Sequence, residues 1–236
     1  MKNLNLLLLL FVLVSSCATI KMGEDPDPNP KPYIKLRNGT VLHPETVKKT
    51  AFNIIADNKS YNRTNITAYC DGKYQYLPTS SSFFIPLIYT GKLNVYTLET
   101  ITTTSYSNGT TSSSGNKFEY VTNGNDSLIK MYYKPLSKII APGTPAFDYL
   151  KLSRQNDRLG NAKIIAGLAC VLGGFVIIGS GFSAQGVDGK RMAAGGLVEL
   201  VGLGGMVYGA ITKGHAKQNR RRAVACYNGV LPPLSK

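Results

Sequence analysis

Histidine is almost missing from this chain of 236 residues: His43 and His215 are the only two. Neither stands at a spacing that would build a metal site or activate a nucleophile, so the sequence offers nothing for metal-assisted or triad chemistry. Acidic residues are scarce as well, 13 against 27 Lys and Arg, and they are too scattered to nominate a pair for general acid–base work. Glycine is plentiful, yet the glycines after Gly167 lie inside apolar runs rather than between a strand and a helix, where a phosphate cradle would need them. The sequence therefore carries no catalytic constellation and no cofactor motif, and the reading it favours is a protein that is not an enzyme.

A long apolar run is also missing at the N-terminus, although a short one is present. Leu6 to Val14 would rise only about 14 Å as a helix, against a hydrocarbon core of about 30 Å. Met1-Lys2-Asn3 supplies a basic start and Ser15-Ser16 the small residues that a processing peptidase accepts. Residues 1–16 thus read as an export signal. Val14-Ser15-Ser16-Cys17 resembles the lipobox of bacterial lipoproteins, and the resemblance implies that Cys17 is acylated and becomes the first residue of the mature chain. The alternative is an ordinary secretory signal cut after Ser16, with Cys17 incidental. Three acyl chains exceed the two signals that stable anchoring requires, so a lipidated Cys17 alone would hold the chain on a membrane. Residues 17–32 follow with Pro26, Pro28, Pro30 and Pro32 at alternate positions, which predicts an extended, semi-rigid tether without a core of its own.

Cysteine is limited to four residues. With Cys17 acylated, Cys70, Cys170 and Cys226 remain, and an odd number in an oxidising compartment leaves at least one free thiol. Cys170 lies in an apolar run and reads as a small hydrophobe. Cys70 and Cys226 are the candidates for a bridge.

The net charge is +14, and the excess is uneven. From Lys151 to Lys236 twelve basic residues face only Asp157, Asp188 and Glu199. Such a balance suits nucleic acid or the phosphates of lipid and lipopolysaccharide, and an export signal argues against nucleic acid.

Residues 33–140 are rich in Tyr, Thr, Val, Ile and Phe and are punctuated by turn-forming pairs. Asn38-Gly39 separates YIKLR from TVL, Asp71-Gly72 separates NITAYC from KYQYL, and Asn123-Gly124 separates KFEYVT from NDSLIKMYY. Each pair suits a tight hairpin. The longest strand candidate covers residues 91–106, and Asn108-Gly109 with the Ser/Thr run to Ser114 reads as a loose loop. Five to seven strands follow, and so short a set must close or stack to bury one face. The expected fold class is α+β: a small antiparallel β barrel or sandwich followed by a Gly-rich α-helical hairpin. The phrases YIKLRNGTV, GKLNVYT and AVACYN resemble parts of uncharacterised bacterial envelope proteins, which implies a family of exported lipoproteins without assigning any site residue. Asp126-Ser127-Leu128 resembles the acceptor of some bacterial O-glycosylation systems, a pattern short enough to arise by chance.

The C-terminal third supplies the long apolar runs. Residues 164–182 hold no charge, and residues 192–212 hold only Glu199. Each would rise about 28 to 32 Å as a helix, close to the thickness of a bilayer's hydrocarbon. With a polar helical lead-in from Ala146 they form a membrane hairpin over 146–212, followed by a basic tail over 213–236. A hairpin buried in a soluble domain is the alternative. Glycine weakens helices in water, so its density here needs another cause, and close helix packing in lipid provides one. Gly195, Gly202, Gly205 and Gly209 recur at helical spacing, and Ala166, Cys170 and Gly174 form a stripe on the first helix. The pattern resembles the glycine-zipper hairpins of some outer-membrane lipoproteins.

Glu199 lies beside the glycine stripe and should face a partner helix, either hydrogen-bonding there or handling protons or ions. A two-pass hairpin returns Lys213, Lys217, Arg220, Arg221 and Arg222 to the non-cytoplasmic side, against the positive-inside tendency of the inner membrane. This favours the outer membrane, with the basic cluster against anionic lipid; a solvated basic tail is the alternative. The expected partners are membrane lipid and either an envelope protein or further copies of the chain, in a structural role or as an oligomeric transport component.

Overall fold

The computed structural model describes residues 20–50, 52–79, 83–105, 107, 109–124, 127–183 and 186–234. Residues 1–16, Cys17 and Asp126 lie outside them. The chain divides into two compact units, one of Lys21–Phe147 with Arg222–Lys236, the other built on Asp148–Arg221.

The first unit is antiparallel sheet. Its strands are β1 (Tyr33–Leu36), β2 (Val41–Leu42), β3 (Val47–Lys49), β4 (Asn53–Ala56), β5 (Lys59–Asn62), β6 (Ile66–Cys70), β7 (Gln75–Pro78), β8 (Phe84–Tyr89), β9 (Asn94–Ser105), β10 (Thr111–Thr122) and β11 (Ile129–Lys130). Eight of them form one sheet in the order β11-β10-β9-β8-β7-β6-β1-β2, and β3-β4-β5 form a second. The larger sheet does not close, since β11 and β2 are its two edges. The fold class is α+β, without a barrel.

The hairpins follow the turn pairs: Gly39, Gly72 and Gly124 all take positive φ between their strands. The turn from β4 to β5 uses Asp57 (φ 45°) and Asn58 (φ 67°) instead, two residues whose short polar side chains tolerate the left-handed region. Asp57 gains further support by accepting the backbone N–H groups of Glu45 and Thr46 at 3.2 and 3.0 Å.

Alternation along the strands builds two apolar faces. On one, Ile34, Ile66, Tyr69 and Phe84 of the large sheet meet Val47, Ile54 and Ala56 of the small one. On the other, Ala68, Leu77, Ile85, Leu87 and Tyr96 cluster. Tyr69 stacks on Tyr76 at 4.6 Å and meets Phe84 edge-on at 4.9 Å.

The described residues of this unit hold eleven strands where five to seven were expected, and two further expectations change. The Ser/Thr run is not a loop: Thr111 to Ser114 pair with Ser105 to Thr102, extending the β9–β10 hairpin as an exposed ribbon. β-branched threonines opposite a matching strand outweigh the run's resemblance to a linker. Residues 21–32 are not a free tether either. Met22, Gly23 and Pro30 are buried, and Glu24 and Thr90 exchange two backbone hydrogen bonds of 2.9 Å.

After the short helix α1 (Tyr133–Leu136), two long helices follow, α2 (Pro145–Ser180) and α3 (Gly189–Tyr227). Thr144 Oγ1 accepts the N–H of Phe147 at 3.3 Å and Pro145 occupies the first turn, a favoured helix start. A two-strand turn, β12 (Phe182–Ser183) with β13 (Gly186–Val187), links the helices. Asp188 then caps α3 by accepting from the N–H groups of Lys190 and Arg191 at 3.0 and 3.3 Å. Gly229, at φ 80°, ends it. The basic stretch from Lys213 is therefore helix as far as Tyr227, not a free tail.

Candidate functional site

In the unit built on Asp148–Arg221, α2 and α3 meet along a line of glycines spaced seven residues apart: Gly160, Gly167 and Gly174 on α2, and Gly195, Gly202 and Gly209 on α3. They pair as reciprocal rungs. A Cβ on Gly167 would stand 2.5 Å from the carbonyl oxygen of Gly202, and one on Gly202 would stand 2.6 Å from that of Gly167. Gly174 and Gly195 relate in the same way at 2.7 Å each, and Gly160 and Gly209 at 2.9 and 2.8 Å. No real Cβ tolerates such distances, so only glycine allows the two backbones to approach this closely.

Larger side chains lie over each rung. Lys213, Met206 and Glu199 cover Gly160, Gly167 and Gly174, while Ile164, Val171 and Ile178 cover Gly209, Gly202 and Gly195. These coverers also recur every seven residues, so the seam is an antiparallel heptad pattern with glycine in one of its two inward positions. One heptad further on, Ser153 and Ala216 are both fully buried. There Arg220 donates to Asp157 Oδ2 at 2.7 Å and to Ser153 Oγ at 3.3 Å.

Of the α3 residues expected in the stripe, Gly195, Gly202 and Gly209 form rungs, whereas a Cβ on Gly205 would make only ordinary contact, 3.4 Å from the Cα of Gly167. On α2 only Gly174 is a rung. Ala166 is exposed and Cys170 half-buried, because the true period is seven and the four-residue spacing selects a neighbouring face. Gly160 and Gly167 are rungs outside the expected stripe, and their seven-residue spacing to Gly174 is the signal in the sequence that marks them.

Glu199 does face the partner helix, with its Cγ over Gly174. Its Oε1 is buried and has no hydrogen-bond partner among the described residues, so the expected bond to the neighbouring helix is not made there. Of the basic cluster, Lys213 and Arg222 are exposed and Lys217 and Arg221 half-buried. Arg220, its side chain 11% exposed, is committed to Asp157 instead of an outside anion. At the end of the apolar stretch Lys163 Nζ sits 3.7 Å from the Tyr208 ring centroid and 3.3 Å from Thr212 Oγ1.

Away from the seam, bulky apolar side chains point outward. Ile165, Phe175, Val176, Leu197, Leu200 and Val201 are all at least 60% exposed. Both helices are long and apolar enough to cross a membrane, and only 11% and 17% of their most apolar windows are buried. They are not the core of this chain.

In the sheet unit the cysteines are free, so no Cys70–Cys226 bridge forms. Cys70 instead packs in the core, where its sulfur receives the N–H of Gly72 at 3.4 Å. Burial raises both thiol pKa values, with the Gly72 N–H opposing the shift at Cys70. Burial also pushes the hydroxyls of Tyr69 and Tyr76 well above the usual tyrosine range, and Asp71 adds to the shift at both. Among the described residues no cluster of His, Cys, Asp and Glu suits a metal ion.

Comparison with protein-family models, curated proteins and solved structures finds no match for this chain.

Proposed function

We propose that this protein is a cell-envelope lipoprotein, held by acyl chains on Cys17 and by insertion of the α2–α3 hairpin, with a structural or protein-interaction role carried by its sheet unit. One observation carries the reading: the hairpin buries its smallest residues and leaves its largest apolar ones outside. In water that arrangement wastes the hydrophobic effect, which favours burying large apolar area. In lipid it is the favoured one, because the tails are as apolar as leucine and close packing at small residues drives helix association. The outer membrane is the preferred location, since there the basic residues of α3 meet no positive-inside conflict.

Fractionation of cells expressing wild type and Cys17→Ala tests this reading. Wild type should sediment with membranes at outer-membrane density, carry acyl mass on Cys17 and resist alkaline carbonate. Cys17→Ala should lose the acyl mass yet stay carbonate-resistant through the hairpin. A freely soluble Cys17→Ala protein would remove the hairpin from the membrane, and wild type without acyl mass would remove the lipid anchor.

A further inference from the structure

Three hydrogen-bond donors without acceptors gather where the small sheet packs on the large one. Register places Lys49 opposite Ile54 and Ile54 opposite Tyr61, so these side chains share one face of β3-β4-β5. Ile54 is fully buried on that face, in the same apolar cluster as Tyr69 of β6, and Tyr61 packs against the cluster. Arg63, just past β5, turns back across the end of the sheet and donates through Nη2 to the carbonyl of Thr50. Its guanidinium therefore stands beside the backbone that carries Lys49.

The surroundings supply no counter-charge. Arg63 Nε and the Tyr69 hydroxyl are buried and make no hydrogen bond among the described residues. Tyr69 is 1% exposed, so bulk water does not serve it. Neither Arg63 nor Lys49 stands in an ion pair among the described residues. Two cations instead lie side by side: partial desolvation holds the Lys49 ammonium below the usual lysine range, and the Arg63 charge adds to the shift. The same guanidinium acts on the Tyr69 hydroxyl, where it opposes the rise caused by burial. Asp71 also acts on Tyr69, but its carboxylate is taken, accepting the N–H groups of Lys73 and Tyr74 at 2.9 and 2.8 Å and the hydroxyl of Tyr76 at 3.1 Å.

We propose that Lys49, Arg63 and Tyr69 form a binding site for a tetrahedral oxyanion, a phosphate or sulfate group carried on a small ligand. Lys49 is exposed, Arg63 half-buried and Tyr69 buried, so the anion enters on the Lys49 side and meets the hydroxyl at the floor. The ammonium contributes a mobile point charge, the guanidinium a fixed N–H direction and the phenol an O–H. Donors arriving from three elements fit an anion whose free oxygens point apart better than a flat carboxylate. An anion between Lys49 and Arg63 also removes their mutual repulsion, so binding stabilises the sheet unit.

Isothermal titration calorimetry of the full-length protein in neutral detergent tests the site, with inorganic phosphate as the probe and ionic strength held constant with chloride. One phosphate should bind per chain and raise the thermal midpoint of the sheet unit. Lys49→Gln, Arg63→Lys and Tyr69→Phe should each weaken binding about tenfold, the usual effect of losing one hydrogen bond to a charged group. Lys138→Gln, exposed elsewhere on the unit, should not. Because Lys49 is exposed, Lys49→Gln keeps the test decisive if the other two variants fold poorly. A parallel titration with sulfate shows which oxyanion the site prefers. Acetate binding as tightly as phosphate and sulfate would overturn the tetrahedral assignment. Equal affinity in wild type and Lys49→Gln, or no heat beyond that of chloride, would overturn the site and leave Arg63 and Tyr69 served by water alone.

Discussion

At the scale of single residues, α3 contains a built-in control. Gly202 is a rung of the seam, whereas a Cβ on Gly204 would meet nothing within 4 Å. Gly202→Leu should separate the helices and destabilise the hairpin by about 1–3 kcal/mol, the usual cost of overpacking. Gly204→Leu should leave it intact. Protease resistance of the hairpin in bicelles distinguishes the two.

The buried tyrosines give a second prediction. Their folded pKa values are raised, so the unfolded state gives up its hydroxyl protons first as pH climbs. The stability that neutral Tyr69 and Tyr76 supply is complete below about pH 10, the ordinary tyrosine value, and is lost as pH rises through the folded values. Ultraviolet absorbance should show these two ionising together with the loss of near-ultraviolet circular dichroism, after the exposed tyrosines have titrated. Tyr69→Phe and Tyr76→Phe should each remove one of the two late-ionising hydroxyls from this profile; at position 76 the change also removes the hydrogen bond of 3.1 Å to Asp71, which favours the neutral hydroxyl.

At the scale of elements, the β9–β10 ribbon stands out for how little it buries. From Thr102 to Ser105 and from Thr111 to Lys117 every described side chain is exposed. Replacing residues 100–116 by Asn-Gly, so that Glu99 and Lys117 flank the new turn, should change the stability of the sheet unit by less than about 0.5 kcal/mol, as thermal denaturation would show. The same ribbon shows where the sequence could be read and where it could not. Asn38-Gly39, Asp71-Gly72 and Asn123-Gly124 announced their hairpins because glycine at positive φ leaves a local mark. The β4–β5 turn left none, since Asp57-Asn58 depends on bonds to Glu45 and Thr46, about eleven residues away. The two helices were legible as runs with no charge or with Glu199 alone, and the structure adds their caps Thr144 and Asp188, which are equally local. Their pairing was harder to read, because the choice between a four-residue and a seven-residue stripe depends on which face meets the neighbour. The extension of α3 to Tyr227 could have been inferred from Gly229 and Pro232, which mark a helix end followed by a stop.

At the scale of the whole molecule, the glycines that suggested assembly are occupied within one chain. Crosslinking in native membranes should therefore yield monomer through the hairpin, and Gly205→Leu should not alter that pattern. A ladder of discrete oligomers lost on Gly205→Leu would instead support the transport-component alternative. The scarcity of acid also takes on a local meaning at this scale. Of the three acids after Lys151, Asp157 is paired with Arg220 and Asp188 with Arg191, which leaves Glu199 alone among apolar neighbours. What covers its buried oxygen in a membrane is the point at which the hairpin's chemistry, as distinct from its packing, can be probed by Glu199→Gln.

The seam also sets a rule for how this protein can change in length. A residue added to the polar link after Ser180 is absorbed by the turn, but one added inside either helix rotates everything beyond it by about 100° and replaces glycine with a bulkier neighbour at each later contact. Evolution can thus lengthen or shorten the two rods together only in blocks of seven, as a reading frame tolerates only whole codons.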